Sequence, residues 1–153
     1  MNMPERIRKY GTYYGKVTIK SDKEALLIKQ LNDEFVSSQF GNCNYFFLAK
    51  PDYLFKIGEA VSFSSRKSTY QNHVKCKTTQ KIYNLLKDNP DLDHGDVWMV
   101  QTPQIPVNLI DPLFPEEGEI PLTVSTANSF EQRYIQKAYK ERWKLEACNE
   151  VKR

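Results

Sequence analysis

Apolar and polar positions along this chain change rhythm often enough to mark its elements one at a time. Residues 45–50 (YFFLAK) and 53–57 (YLFKI) are compact apolar runs separated by Pro51-Asp52, the spacing and punctuation of a β-hairpin. If Lys50 faces Tyr53 across that turn, Phe47 faces Lys56, and Tyr45 lies on the same side of the sheet, diagonal to Lys56 and within its reach. A slip of one residue would undo this placement. Upstream, residues 10–19 (YGTYYGKVTI) read as a loop followed by a short strand. Ser21-Asp22-Lys23-Glu24 matches a capping box, and Leu27, Ile28, Leu31 and Phe35 follow at helical spacing. This predicts a helix over residues 22–38, ended by Gly41 and Asn42.

Downstream, residues 62–72 (SFSSRKSTYQN) are polar and rich in capping residues, predicting a short helix with Arg66 in its first turns. Thr78 or Thr79 caps a second helix carrying Ile82, Leu85 and Leu86, stopped at Asp88-Asn89-Pro90. Residues 96–102 (DVWMVQT) read as a third strand. Pro103, Pro106, Pro112, Pro115 and Pro121 then punctuate a stretch predicted to be mostly loop, with one strand near residues 120–124. Ser125 or Thr126 opens the longest helix, from about Ala127 to beyond Arg142. The order is helix, hairpin, two helices, strand, proline-rich excursion and long helix, a small mixed α+β domain. No internal repeat, low-complexity tract or domain linker interrupts it.

Composition adds bounds. At 153 residues, with 40% apolar and 27% charged side chains, the chain suits one domain with one core. No apolar run approaches a membrane span, and the polar, basic residues 1–9 lack the apolar centre of a signal peptide, so the expectation is a soluble, cytoplasmic protein without a membrane partner. A net charge of +3 permits nucleic-acid binding without demanding it. Cys43, Cys76 and Cys148 are odd in number, widely spaced and form no CxxC pair, which argues against a disulfide scaffold or a structural zinc site. His73 and Cys76 make a lone HxxC best read as coincidence, and His94 is the only other histidine.

Four residues carry candidate chemistry. Glu131 shares a helical face with Ala127, Ile135 and Ala138, so its carboxylate must be paired, metal-bound or at the margin of the core. The bland reading, a marginal Glu or a partner for Arg66 or Lys56, stands beside the functional one. Lys56, within a strand reading Tyr-Leu-Phe-Lys-Ile-Gly, is by default a residue extending its ammonium to solvent from a sheet edge. Its functional reading is a fixed cation beside Tyr45. Tyr45 is by default a core tyrosine; its unperturbed pKa of about 10 makes it a base only with cations nearby. Arg66 is by default a surface residue, and otherwise a planar donor fork for a phosphate. Together a base, two cations and a carboxylate suit hydrolysis of a phosphodiester with one divalent metal.

The order of these residues resembles the GIY-YIG nucleases, whose two strands carry the named motifs, followed by an arginine on one helix and a metal-binding glutamate on a later one. Here the motifs would be Cys43-Asn44-Tyr45 and Lys56-Ile57-Gly58. Lysine in place of the second tyrosine is similar to the small type II restriction endonucleases of that family. Phe55-Lys56-Ile57-Gly58, Cys76-Lys77-Thr78-Thr79 leading into Leu85-Leu86-Lys87, and Ala147-Cys148 add to the likeness, which spans roughly residues 43 to 148.

The resemblance implies a central three-stranded, mainly antiparallel sheet flanked by helices in residues 43–153, with residues 1–42 as an N-terminal helical extension. It implies Tyr45 as the general base, Lys56 tuning it and contacting the nucleophile or phosphate, Arg66 on the phosphate oxygens, and Glu131 as the one protein ligand of Mg²⁺, for which Mn²⁺ would substitute. Glu59 stands where the restriction relatives carry a histidine. It either repels the phosphate or binds Lys56, Arg66 or a second ion. An asparagine after the glutamate helix has only Asn149 as a candidate match. The implied activity is hydrolysis of double-stranded DNA to 5′-phosphate and 3′-hydroxyl ends by a homodimer, with a cognate DNA methyltransferase acting on the same site. The N-terminal helix, the basic helix around Arg66-Lys67 and the proline-rich stretch are candidate dimer or groove contacts. Lys75, Lys77, Lys81 and Lys87 are either phosphate contacts or a solvated helix face. A catalytically silent DNA-binding relative, and a structure-specific or phage nuclease, are the alternatives.

Overall fold

Every side chain of β3 (Cys43–Ala49) is buried, which is what a strand covered on both faces requires and why its sequence shows no polar alternation. It pairs antiparallel with β4 (Tyr53–Ala60) on one side and β5 (His94–Gln101) on the other. β1 (Thr12–Lys20) pairs antiparallel with β5, and β2 (Ala25–Gln30) with β1. The expected three-stranded core is therefore β5-β3-β4, extended to a five-stranded sheet in the order β2-β1-β5-β3-β4 with β4 as one edge. The computed structural model describes residues 1–20, 25–35, 42–49, 53–72, 76–92 and 94–145.

The hairpin register matters most for function. Phe47 faces Lys56 and Tyr45 faces Gly58, the pairing expected if Lys50 faced Tyr53. Nearer the turn, Ala49 faces Tyr53, and an irregularity between Phe47 and Leu48 absorbs the one-residue difference. Lys50, Pro51 and Asp52 lie outside the described residues.

Alternation along β3 divides the core in two. Tyr45 and Phe47 face a cluster completed by Phe55, Phe63 and Tyr70, the last two from α2 (Phe63–Asn72), and by Ile82 and Leu86 from α3 (Lys77–Asp88). Phe46 and Leu48 face the opposite cluster, with Met3 and Ile7 of α1 (Met3–Tyr10) and Ile135 and Ala138 of α4 (Ala127–Lys140). Each apolar helix stripe thus covers one sheet face.

Residues 25–30 form β2 rather than part of a helix over residues 22–38; the capping box at residues 21–24 lies outside the described residues. The helical pattern counted Leu27 and Leu31 as core positions, yet they are 43% and 42% exposed, whereas Leu26 and Ile28, two apart, are buried opposite Ile19 and Val17. A period of two accounts for this burial, and pairing with β1 selected it. Ahead of β1, α1 replaces the polar start and loop. Asn2 caps it by accepting a hydrogen bond from Glu5 N, and Pro4 sits in its first turn. Eight residues with few apolar positions gave the periodic pattern too little to register.

At α3 the N-cap is Cys76 rather than Thr78 or Thr79. The proline-rich stretch holds two strands, β6 (Gln104–Ile110) and β7 (Glu119–Ser125), paired into a separate antiparallel ribbon. In a two-stranded ribbon both strands are edges, so Pro106 and Pro121 can turn their missing N–H outward. α4 ends at Lys140 instead of running beyond Arg142. Arg142 adopts a left-handed conformation (φ 67°), with Trp143 N donating to Ala138 O at 3.0 Å and Arg142 N to Tyr139 O at 2.9 Å, a Schellman closure. Among the described residues no helix is long and apolar enough to cross a membrane.

Candidate active site

Tyr45 owes its position to a glycine. Its ring lies so close over Gly58 that a β-carbon there would overlap Tyr45 Cζ. The ring is further held by Phe47 and Phe63, with centroids 5.5 and 5.4 Å away. Its hydroxyl meets that of Tyr70 at 2.7 Å, a pair in which either oxygen can donate. Burial pushes the Tyr45 phenol well above its ordinary pKa; the hydrogen bond from Tyr70 and the Arg66 guanidinium act against that, and the Glu131 carboxylate adds to it. Tyr70 is raised in the same way, chiefly by burial and then by Tyr45. Arg66 is thus the cation that favours the phenolate, and burial outweighs it.

The same cleft is lined by Lys56 and Glu59 of β4, Arg66, Thr69 and Tyr70 of α2, Cys76 and Thr78 at the start of α3, and Glu131 of α4. All five residues singled out from the sequence, Tyr45, Lys56, Arg66, Glu131 and Glu59, therefore converge on one site of about 50 Å³. Lys56 is 2% and Glu131 1% exposed, so neither fits the default reading of a solvated or marginal side chain. Withdrawing each of these charges from water costs several kcal/mol, roughly, before any compensation, so their burial in one cleft makes each the natural counter-charge of the other or of a ligand. Arg66 stays exposed at the rim, its Nη2 donating to Glu59 O at 3.2 Å. The half-buried Glu59 side chain accepts from Asn128 Nδ2 at 3.5 Å.

Glu131 reaches the cleft because α4 is pinned at its start. Asn44, fully buried on β3, donates through Nδ2 to Gly58 O at 3.2 Å and to Ala127 O at 3.0 Å. One side chain thereby ties β3, β4 and the first turn of α4, and Glu131 follows Ala127 by one turn.

The donor set fits a hard, oxygen-seeking dication. Mg²⁺ commonly takes one or two carboxylates and keeps several waters. Glu131, with Glu59 in the same cleft, could supply that number. Among the described residues no group of three or more His, Cys, Asp or Glu side chains is placed to hold a metal, which fits poorly with a zinc-type cage.

Tyr70, Asn44, Thr69 and Cys76 were not singled out from the sequence. Tyr70 had a legible signal, lying four residues after Arg66 and seven after Phe63 on one helical face. Cys76 stood in a stretch that adds to the family likeness, with no role attached. Its thiol is lowered below the ordinary cysteine value, first by the backbone N–H of Thr79 at the start of α3, with burial opposing. Lys77, Lys81 and Lys87 point outward from α3, and Lys87 lies over the Tyr83 ring at 6.0 Å. Lys75, His73, Cys148 and Asn149 lie outside the described residues.

No family model matches the chain, and no curated protein matches it. Among solved structures, the fold is similar to that of a mutant of bacteriophage T4 EndoII, with a TM-score of 0.56 and 16% identity, covering 89% of this chain and 94% of that one. It is also similar to restriction endonuclease HPY188I, solved in complex with product DNA, with a TM-score of 0.54 and 14% identity, covering 93% of this chain and 81% of that one. The chain therefore shares its fold with two endonucleases.

Proposed function

We propose that this protein is a divalent-metal-dependent endonuclease that hydrolyses phosphodiester bonds of double-stranded DNA, in the manner of a GIY-YIG type II restriction enzyme acting as a homodimer. The observation that carries the proposal is the convergence of Tyr45, Lys56, Arg66 and Glu131, drawn from four elements, on one small cleft. The shared fold with T4 EndoII and with HPY188I, the latter holding product DNA, supports the same reading.

In this reading Arg66 grips non-bridging oxygens of the scissile phosphate from the rim, where a duplex can approach, and balances the charge that grows in the transition state. Lys56, buried beside Tyr45, orients the attacking water or a phosphate oxygen, while Arg66 is the cation that favours ionisation of the phenol. Tyr45 takes the proton of the attacking water, and Tyr70 donates to the Tyr45 oxygen to hold it as an acceptor. Because burial holds the phenol above its usual pKa, only a small fraction is ionised at neutral pH, so activity should climb with pH through the neutral and mildly alkaline range. Glu131, with Glu59 as a second carboxylate, would hold a Mg²⁺ ion, which supplies electrostatic stabilisation of the leaving oxygen when bound.

The test is incubation of wild-type protein and Glu131→Gln with a plasmid of known sequence, in Mg²⁺ and in EDTA. Discrete fragments from wild type with Mg²⁺ alone are expected, with Glu131→Gln slower by at least about a hundredfold, roughly the loss of one strong transition-state contact. Fragments with ragged or branch-directed ends would move the reading to a structure-specific nuclease. Intact plasmid in every lane would sink the enzymatic reading and leave a DNA-binding relative.

A further inference from the structure

The β6–β7 ribbon is two-faced. Its register pairs Ile105 with Val124, Val107 with Leu122 and Leu109 with Ile120, placing six apolar side chains on one face. Ile105, Leu109, Leu122 and Val124 are each more than 40% exposed, and at the tip Leu113 is 82% and Phe114 49% exposed. The ribbon packs mainly on itself and is anchored to the body at its base, where Ala127 N donates to Ser125 Oγ at 3.3 Å. A two-stranded ribbon is marginal alone in water, and one-sided apolar alternation is the pattern of a face that becomes covered.

Charge indicates the cover. Residues 104–125 contain Asp111, Glu116, Glu117 and Glu119 and no lysine or arginine, so the rest of the chain holds all 22 basic residues against 15 of the 19 acids. An apolar, purely acidic arm is repelled by a phosphate backbone and attracted by a basic, apolar surface. The body has one: a groove of about 620 Å³ between α1 and α4, where Arg6, Arg133, Lys137 and Lys140 surround a floor that includes Ile7 and Phe46. The one acid there, Glu141, is occupied, its Oε1 accepting from Met3 N at 2.8 Å and Trp143 Nε1 at 3.0 Å. No ribbon residue lines the groove within the same chain.

We infer that the apolar, acidic ribbon of one copy docks in the basic α1–α4 groove of a second copy. Each copy gives one ribbon and receives one, which closes a two-fold dimer without leaving an open end. The inference deepens the homodimer of the proposed function by naming its surfaces, but it is read from mass and not from cleavage, so the two can fail separately.

The experiment measures molecular mass by sedimentation across a concentration series for four proteins: wild type, Glu116→Lys/Glu117→Lys, Arg133→Glu/Lys137→Glu, and all four changes combined, with circular dichroism to confirm folding. Each charge-reversed pair should weaken dimerisation by roughly tenfold or more, and the combination should recover most of the loss, which a merely unfolded variant cannot do. Leu109→Lys/Leu122→Lys should also shift the equilibrium to monomer. A monomeric wild type at every concentration, or charge-reversed pairs that leave the mass unchanged, would overturn the inference. So would an α4 pair that lowers affinity for a short DNA duplex in EDTA while dimerising normally, since the groove would then belong to nucleic acid.

Discussion

Gly58 shows how one missing side chain shapes the site. Its Cα is the floor on which the Tyr45 ring rests, and the ring cannot retreat because Phe47 and Phe63 hold its other sides. Gly58→Ala should therefore cost about 1–3 kcal/mol as an overpacked core, lowering Tm by roughly 2–4 °C per kcal/mol in a domain of this size. It should also move the Tyr45 hydroxyl off Tyr70. Thermal unfolding and plasmid cleavage would check this, and a variant with wild-type Tm and wild-type rate would show that the ring is not seated on Gly58. In the motif this glycine reads as a strand end. In the fold it is a contact, and the difference depends on the residue opposite, which only pairing supplies.

Asn44 does the equivalent work between elements. Its amide bridges the β4 backbone at Gly58 and the α4 backbone at Ala127, and α4 carries Glu131 into the cleft one turn later. Asn44→Ala removes two buried hydrogen bonds, to the Gly58 and Ala127 carbonyls, a loss of about 1–3 kcal/mol. The larger consequence should fall on activity, roughly tenfold or more, because a carboxylate displaced by about an ångström no longer meets its ligand. Comparing the urea midpoint with the cleavage rate separates the two effects; equal losses for Asn44→Ala and a distant core truncation such as Leu26→Ala would deny Asn44 a positioning role. At this scale the sequence was legible where one pattern dominated: the β3–β4 hairpin, α3, β5 and the start of α4 follow their apolar spacing, and α2 its capping residues. It misled at β2, where Leu27, Ile28, Leu31 and Phe35 fit a helix while Leu26 and Ile28 fit a strand. Six residues cannot discriminate between the two periods without the partner strand.

Across the whole molecule, the buried acids that titrate late link the site to stability. Cys43 is pushed up to about 11 by burial, and Tyr45 and Tyr70 are raised beyond their ordinary phenol value. A raised folded-state pKa means that the unfolded chain loses its protons first, from about pH 9 for the thiol and about pH 10 for the phenols. The stabilisation from keeping these groups neutral is thus complete below pH 9 and declines as pH rises above it. The urea midpoint should fall between pH 8 and pH 10.5, and Tyr70→Phe should fall less steeply than wild type. A flat midpoint over that interval would mean that these groups are in contact with water.

From the sequence alone came the α+β class, the β3–β4 hairpin, α2, α3, β5 and the start of α4, because these follow from local periodicity, capping and turn chemistry, which act over a few residues. The identities of Tyr45, Lys56, Arg66, Glu131 and Glu59 as candidates were legible too, since each residue type breaks the pattern of its own segment or completes a known order. Only the tertiary structure decided that these five meet in one cleft with Tyr70 and that β1 and β2 join the same sheet. It alone brought Asn44 to both Gly58 and Ala127, and it alone separated an acidic ribbon from a basic groove. Each of these depends on contacts between residues far apart in the chain, such as Asn44 with Ala127, and no local pattern encodes which distant partner a side chain will meet.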